Sequence, residues 1–470
     1  MLDTIQNIFN AFGAIVFVPV ILFIVAKGMG VKTKKALDCA ILSAVGLEGF
    51  TLIINSYSGI IGPVVEQMVE TTGVNLEIVD IGWQATSVVA YSTTIGIIFF
   101  AIAVILQLAL YFLKFTNVFM VSDLWNNYGF MVWGSMLYLL TKNIFLALLL
   151  MVIQNLYCML FSEALAKRFS NYYGYPNCCL SVPMHMDAVP FAIVMNAILN
   201  KLGLNKIKAS PKALADKAGM LADPKVIGLI LGGVIATISY SHSLNSLESW
   251  GAIATCAIAT SAVMTVFPKV AGIFASAFTP LSSAYAKKAA ESGKGRNWYI
   301  AINDAVAYGE TATLTTGIIL MPIILVIAFI LPGNKFLPLV DLCAIPYMIE
   351  VFICVTDGNM IKSTICGTIW YTIGLLCITA VAPYFSQVAA SVGVEMALAG
   401  VLVASFGVMG RPLNCLSFLA FLTGNPIIIG AVVLLYVVMY AAFKMKGQSL
   451  IDYMENCNDV PENQEVNAQA

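Results

Sequence analysis

Charge is scarce in this sequence, and histidine is almost absent. Only 10% of the 470 residues are charged, and the two histidines are His185 and His242. Soluble domains carry about 25% charged residues, so this chain cannot cover a water-facing surface in the usual way. Hydrophobic residues make up 60% of the chain, and the mean hydropathy is +0.89. Apolar stretches that could cross a hydrocarbon core of about 30 Å as helices recur throughout, which predicts an all-α integral membrane protein.

Other absences narrow the functional classes further. The net charge is −1 and the bases form short clusters, so nothing indicates nucleic-acid binding. None of the eleven cysteines forms a CxxC motif, and with two histidines this predicts neither a metal site nor another cofactor. The SGKG sequence around Lys294 lacks the remaining residues of a Walker A motif. We expect no removable signal peptide, because the first apolar stretch is too long and lacks a basic start.

The hydrophobic pattern predicts about eleven membrane crossings. They lie near 8–27, 36–61, 88–114, 123–141, 143–166, 225–242, 250–267, 312–331, 336–357, 361–385 and 425–443. Two further apolar stretches, 181–200 and 396–415, are too interrupted to span cleanly. Lysines and arginines follow alternate crossings, so the positive-inside rule places the N-terminus outside and the C-terminus in the cytoplasm. The acidic residues 447–470 are expected to form a disordered cytoplasmic tail.

Two halves of the chain resemble each other. FMVSDL, which contains Asp123, corresponds to FLPLVDL, which contains Asp341, at an offset near 217 to 223 residues. The matching loops 63–82 and 280–304 carry net charges of −4 and +2, so they belong on opposite membrane faces. This pattern predicts two inverted repeats, about 1–200 and 226–446, joined by a cytoplasmic linker at 201–225. The alternative is chance similarity between apolar segments.

Each half contains a polar segment next to a crossing. Asp80 to Thr94 and Asn303 to Gly317 are too polar to face lipid and too apolar for ordinary loops. Non-helical backbone at membrane depth is tolerated only inside protein or beside a water-filled cavity. Broken or re-entrant segments at matching positions indicate the binding site of a transporter.

Several polar side chains near these segments are candidates for that site. Glu310 precedes a crossing and is a candidate catalytic carboxylate, although it could instead reach the lipid headgroups. Asn303 and Asp304 are substrate-binding candidates, with a helix N-cap as the alternative role. Glu48 and Glu350 lie within crossings and need partners that the sequence does not identify.

A hairpin between two prolines carries the remaining titratable candidates. His185 and Asp187 lie in SVPMHMDAVPF, where the prolines leave carbonyl groups free. His185 could accept a proton or bind a hydroxylated ligand, and we treat it as both catalytic and substrate-binding. A histidine with a purely structural role is the alternative.

Amide and indole side chains favour a sugar or polyol as the ligand. Trp83 and Gln84 offer an apolar ring face beside a donor and acceptor, and Asn127 offers a further amide. A tryptophan of the membrane interface is the alternative for Trp83.

Longer blocks resemble a known family. GIIGPVVEQM, NLEIVDIGWQATS, SDLWNNYGFM, LPGNKFLPLVDL and DGNMIKSTICG together are similar to enzyme IIC, the membrane component of bacterial phosphotransferase systems for galactitol, in the ascorbate–galactitol superfamily. The resemblance extends to about residue 445. The chain departs from the family pattern at Met184-His185, at Glu310 and at Gln84, which leaves a related polyol or pentitol open as the substrate.

The resemblance implies uptake of a polyol coupled to its phosphorylation. The phosphoryl donor would be a cysteine of a cytoplasmic enzyme IIB, itself supplied by enzyme IIA, so the enzymatic activity belongs partly to these partners. The related ascorbate carrier implies a homodimer in the lipid bilayer with an elevator-like movement. An ion-coupled secondary transporter of a small hydroxylated solute is the alternative.

Overall fold

The computed structural model describes most of the chain between residues 16 and 458. The described residues are 16, 19–20, 22–24, 26–28, 30–72, 76–91, 93–120, 124–207, 209–211, 224–277, 298–302, 304, 307, 310–338, 340–394, 400 and 402–458. The long helices are α1 (Thr33–Thr72), α2 (Gly82–Tyr91), α3 (Thr94–Phe112), α4 (Leu124–Thr141), α5 (Ile144–Tyr173), α7 (Val189–Lys201), α8 (Pro224–Ser239), α9 (Leu247–Ser276), α10 (Thr311–Ile330), α13 (Met360–Ser391), α15 (Pro412–Leu422) and α16 (Pro426–Asn456). Four helices are short, α6 (Pro183–Met186), α11 (Ile345–Met348), α12 (Glu350–Val355) and α14 (Phe406–Met409).

Helix boundaries follow from local side-chain chemistry. Asn143, Asn359 and Asn425 precede α5, α13 and α16, and each side-chain oxygen accepts a hydrogen bond from an N–H of the first turn. Gly174 ends α5 with a φ of 72°, a conformation that glycine adopts without strain. The Thr93 side chain caps α3, so the predicted polar segment from Asp80 to Thr94 forms the short helix α2 and then a break.

The helices fit a membrane protein. Within the described part of the chain, four are long and apolar enough to cross a bilayer, namely α5, α10, α13 and α16. The predicted crossing 8–27 lies largely outside the described residues, and the total of eleven remains a prediction.

The predicted crossing 336–357 is wrong. This segment instead forms a short strand, a 3₁₀ turn at Val340–Ala344 and the two short helices α11 and α12. Pro338 and Pro346 lack the N–H that a continuous helix would use, and Pro346 instead lies in the first turn of α11. Hydropathy therefore identified an apolar, buried segment but did not predict its secondary structure.

Within the described ranges, six short strands, which the all-α prediction did not include, form two parallel sheets. Sheet A contains β5 (Phe336–Leu337), β1 (Ile78–Asp80) and β6 (Leu402–Ala404) in that order. Sheet B contains β2 (Val118–Phe119), β4 (Tyr299–Ala301) and β3 (Cys178–Cys179). In each sheet, the central strand comes from one half of the chain and both of its neighbours come from the other half. The two halves are thereby hydrogen-bonded together at two places.

Helices α1, α8 and α9 pack closely as one group. Tyr57 Oη lies 3.1 Å from Thr260 Oγ1, and Thr71 Oγ1 donates to the carbonyl oxygen of Ser239. A side chain at Gly232 would collide with Thr260, so glycine permits the close approach of α8 to α9.

The C-terminal helix extends further than the sequence indicated. α16 continues to Asn456, so the disordered tail does not begin at residue 447. Beyond it, the Nζ atom of buried Lys362 donates to the side-chain oxygens of Asn196, Asn200 and Asn458 at 2.8, 2.9 and 2.8 Å. This cluster attaches the end of α16 to α7 and α13. Residues 459–470 lie outside the described part.

Candidate functional site

The proline-flanked hairpin places His185 inside the protein. Pro183 occupies the first turn of α6, where its missing N–H has no consequence, and Asp187 ends this one-turn helix. A second proline lies in the first turn of α7. The side chain of His185 is 2% exposed. The two prolines thus hold a short, rigid turn with the imidazole buried at its centre.

The sheet brings Asp304 to His185. Strands β3 and β4 are parallel neighbours, with Cys179 opposite Ala301. Their carboxyl ends therefore leave sheet B side by side, towards the hairpin and towards Asp304. His185 Nε2 lies 2.9 Å from Asp304 Oδ2, and the Asp304 side chain is 3% exposed. The two candidates that the sequence suggested separately form a buried pair.

Glu350 lies on the other side of the imidazole. It begins α12, directly after the break from α11, and is fully buried. Its Oε2 lies 3.8 Å from His185 Nδ1, which is too long for a hydrogen bond. Among the described residues, neither carboxylate oxygen of Glu350 nor His185 Nδ1 has a hydrogen-bond partner. The sequence indicated that Glu350 needs a partner but did not identify one. The structure places Glu350 in this cluster.

Asp187 faces a second hairpin, formed by α14 and α15. Both of its carboxylate oxygens are buried without a hydrogen bond of ordinary geometry to the described residues. The first turn of α15 lies beside them, and the guanidinium of Arg411 is near enough to stabilise the negative charge. Arg411 is 1% exposed, donates from Nε to the carbonyl of Gly407 at 2.9 Å, and lies 5.8 Å from the Tyr371 ring centre. The sequence analysis missed Arg411, although a lone arginine in an apolar segment was a usable signal.

Hydroxyl groups extend the polar region along α10. Tyr173 Oη lies 2.9 Å from Thr313 Oγ1 and donates to the carbonyl of Glu350 at 3.2 Å. The hydroxyls of Thr315 and Thr316 are buried with no hydrogen-bond partner in the described part of the chain. Hydrogen-bonding capacity is therefore available along the helix that packs next to α11 and α12.

Glu310 has a structural role at the start of α10. Its Oε1 accepts from Ala312 N, and its Oε2 accepts from both the N–H and the hydroxyl of Thr313. Both oxygens are thus used as an N-cap. The catalytic role of Glu310 remains a prediction, and no described contact joins it to His185.

Trp83 and the two buried aspartates near it form a separate junction at sheet A. Asp341 accepts from the N–H groups of Trp83 and Gly407, and Asp80 accepts from those of Gly82 and Asp341. The Trp83 ring is half-buried and meets Tyr128 edge-on at 6.2 Å. Both carboxylates at this junction are therefore engaged in hydrogen bonds that stabilise the backbone.

The other predicted site residues are placed only in part. Asn127 is fully buried on α4, and its neighbour Asn126 accepts from Ser181 Oγ, just before the hairpin, at 3.0 Å. Asn303 and the side chain of Gln84 lie outside the described residues. No group of three His, Cys, Asp or Glu side chains suited to a metal ion occurs within the part of the chain that the structure describes.

Known proteins are similar to this chain in sequence over most of its length. The family model described as the PTS system sugar-specific permease component matches residues 7–400. A putative permease IIC component of Escherichia coli K12 is 28% identical over 386 residues, covering 82% of this chain and 86% of the relative. The galactitol-specific EIIC components of Escherichia coli K12 and of Escherichia coli O157:H7 are each 27% identical over 428 residues, covering 90% of this chain and 92% of the relative. The chain therefore belongs to the family of sugar-specific permease components of the phosphotransferase system, and it cooperates with IIA and IIB proteins at a membrane.

Proposed function

We propose that this permease component binds galactitol or a related polyol at the cluster of His185, Asp304 and Glu350 and presents it for phosphorylation. The observation that carries the proposal is the buried His185–Asp304 pair, whose second ring nitrogen faces Glu350 across 3.8 Å. The galactitol-specific relatives supply the substrate class. The departures at Met184-His185, Glu310 and Gln84 keep related polyols in consideration.

The hydrogen bond to Asp304 determines which nitrogen of His185 can act. With Nε2–H donating to Asp304, the Nδ1 lone pair points away from that contact. A carboxylate that fixes a histidine tautomer in this way also stabilises the imidazolium that forms when the ring accepts a proton. Nδ1 is therefore the basic atom of the site.

Substrate hydroxyls can satisfy the two unpartnered groups. One hydroxyl would donate its proton to His185 Nδ1 from about 2.8 Å, and an adjacent hydroxyl would donate to Glu350 Oε2. Neighbouring hydroxyls of the polyol would reach Thr315 and Thr316, which also lack partners among the described residues.

The transfer step then uses a phosphocysteine of the IIB protein. The substrate oxygen attacks phosphorus, the O–P bond forms, and the S–P bond breaks to return a thiolate to the partner. His185 Nδ1 accepts the hydroxyl proton. Positioning and general-base catalysis are the contributions of this chain, and the phosphoryl group comes from the partner.

Translocation is proposed to use the two packing groups of the structure. The α1–α8–α9 group would remain fixed in the bilayer while the sheets and hairpins move with the substrate in an elevator-like manner. The exchange of strands between the two halves supports treating the hairpins, sheets and α10 as one moving unit, because separating them would break both sheets.

The proposal is tested with purified protein in sealed vesicles containing IIA and IIB proteins and phosphoenolpyruvate. Labelled galactitol added outside should appear inside as its phosphate ester, and removing IIB should abolish accumulation. Accumulation of free galactitol without IIB would contradict group translocation.

An ion-coupled secondary transporter is the second candidate. The buried carboxylates of Asp187 and Glu350, without hydrogen bonds of ordinary geometry to the described residues, could carry protons across the membrane. In the same vesicles, uptake that an ionophore abolishes and that ignores IIB would favour it.

A further inference from the structure

A large, partly open cavity lies on the opposite side of sheet B from His185. Its volume is about 840 Å³, and it is lined by α5, α16 and the amino ends of the strands of sheet B. Its polar lining includes Asn117, Glu163, Lys167, Asn171, Tyr299 and Lys444. The cavity is larger than a hexitol needs, so a polyol phosphate fits inside it.

The charges in this cavity are unequal. Glu163 is 7% exposed, and its Oε1 accepts from Asn117 Nδ2 at 3.0 Å and from Lys444 Nζ at 3.3 Å. Lys167 forms an ion pair with Asp452 at 3.9 Å, and its side chain is 42% exposed. An exposed ion pair of this length contributes little, so Lys167 can readily turn to another anion. The cavity wall therefore contains one carboxylate, that of Glu163, which already accepts hydrogen bonds, and the two ammonium groups of Lys167 and Lys444.

Sheet B connects this cavity to the His185 cluster. Asn177 and Tyr299 line the cavity at the starts of β3 and β4, and the same strands end towards His185 and Asp304. Strands of two or three residues span about 10 Å or less. The cavity and the His185 cluster are therefore separated by about the length of these strands.

The electrostatic conditions on the two sides of sheet B differ. The His185 cluster contains Asp187, Asp304 and Glu350 with Arg411 as the one nearby cation in the described chain. A neutral polyol is compatible with these carboxylates, whereas they disfavour retention of the phosphate dianion once the transfer is complete. Lysines attract the same dianion as point charges.

We infer that this cavity is a binding site for the phosphate monoester of the substrate, occupied after phosphoryl transfer and before release. The ammonium groups of Lys167 and Lys444 would hold the phosphate, and the amides of Asn117 and Asn171 would hold hydroxyls. The inference rests on the proposed function for the identity of the ester, while the site itself rests on the cavity and its charges.

The experiment measures dissociation constants of galactitol, galactitol phosphate and inorganic phosphate for the purified full chain in lipid nanodiscs. Lys167→Gln and Lys444→Gln are each expected to weaken galactitol phosphate binding about tenfold, the loss of one charged hydrogen bond. Galactitol binding should stay unchanged. Lys446→Gln is the matched control, because Lys446 is exposed on the same helix and does not line the cavity.

Lys167→Gln keeps the test valid if Lys444→Gln destabilises the protein by depriving buried Glu163 of a partner. Ester binding that is unchanged in Lys167→Gln, or that falls equally in Lys446→Gln, would overturn the inference. So would inorganic phosphate that binds as tightly as the ester, since hydroxyl recognition would then be absent. Failure of wild-type protein to bind galactitol would count against the proposed function, and the ester measurement remains separate from it.

Discussion

At the residue scale, two buried junctions use acidic side chains in opposite ways. The carboxylate oxygens of Asp80 and Asp341 at sheet A accept hydrogen bonds from backbone N–H groups, so these residues stabilise the fold. His185 and Glu350 beside sheet B retain atoms with no described partner, although burial makes such atoms costly. A cost that the fold does not offset points to a ligand. The distinction depends on hydrogen-bond partners, which the sequence alone could not supply.

The negative charge of Asp304 should affect the rate of phosphate-ester formation more than the shape of its side chain does. Asp304→Asn keeps a side chain of the same size but no longer stabilises the imidazolium of His185. The rate of phosphate-ester formation should fall by about a hundredfold or more, with a smaller change in galactitol binding. Rates measured with saturating IIB and galactitol test this, with Glu77→Gln at the exposed Lys335 contact as a control. A rate equal to wild type would remove His185–Asp304 from the mechanism.

Glu310 allows its two possible roles to be separated. Glu310→Ala removes the N-cap of α10 and should lower the free energy of unfolding by about 1 kcal/mol, seen as a lower melting temperature in detergent. Glu310→Ser restores a capping oxygen without a carboxylate. We expect Ser to recover both stability and transport. If Ser recovers stability while transport stays low, Glu310 has the catalytic role that the sequence suggested.

At the element scale, the most informative difference from expectation is the segment 336–357. Its apolar composition satisfied a hydropathy criterion, but Pro338 and Pro346 divide it into a strand and short helices. Glu350 starts the last of these helices and is thereby directed inward. The segments 181–200 and 396–415, which the sequence indicated to be too interrupted to span cleanly, also contain prolines. Pro338 and Pro346 were an equivalent signal for a break in 336–357.

Helix α1 has an exposed stripe with a carboxylate in its middle. The stripe contains Leu37, Ile41, Val45, Glu48 and Leu52, spaced three or four residues apart. A charged side chain facing lipid is costly, so we propose that this face contacts a second copy of the chain. The homodimer expected in the sequence analysis stays a prediction.

Replacing both Ile41 and Val45 by Arg should therefore convert a dimer into a monomer. The mass of the detergent-solubilised protein, measured by light scattering with the detergent subtracted, is the readout. Ile373→Arg provides a control, because Ile373 is similarly exposed on α13. A monomeric wild-type protein, or a double variant that remains dimeric, would contradict the assignment of this stripe.

At the scale of the whole molecule, the two sheets have the same plan with the halves exchanged. Strands β1 and β4 occupy the two centres, and they begin at Ile78 and Tyr299. The flanking strands β2 and β3 of the first half correspond to β5 and β6 of the second. This reciprocal exchange supports the predicted repeat, whose sequence offset was 217 to 223 residues. The strands themselves were not predicted, because two- and three-residue strands leave no periodicity to detect.

The membrane orientation can be tested on the intact chain. The stretches of α5 and α16 that carry Lys167 and Lys444 lie together, and the positive-inside rule predicts that they face the cytoplasm. Green fluorescent protein fused after residue 470 should fluoresce, and alkaline phosphatase fused there should be inactive. The reverse pair of results would invert the orientation, and with it the side from which IIB approaches.

The Lys362 cluster has a practical consequence for following movements of the last helix. The three N–H bonds of this ammonium group are directed at three amide oxygens, one of them from Asn458, and Lys362 is 1% exposed. An amine-directed reagent cannot reach Lys362 while the end of α16 is bound there. The rate at which Lys362 is acylated therefore reports the fraction of time that the end of α16 is released.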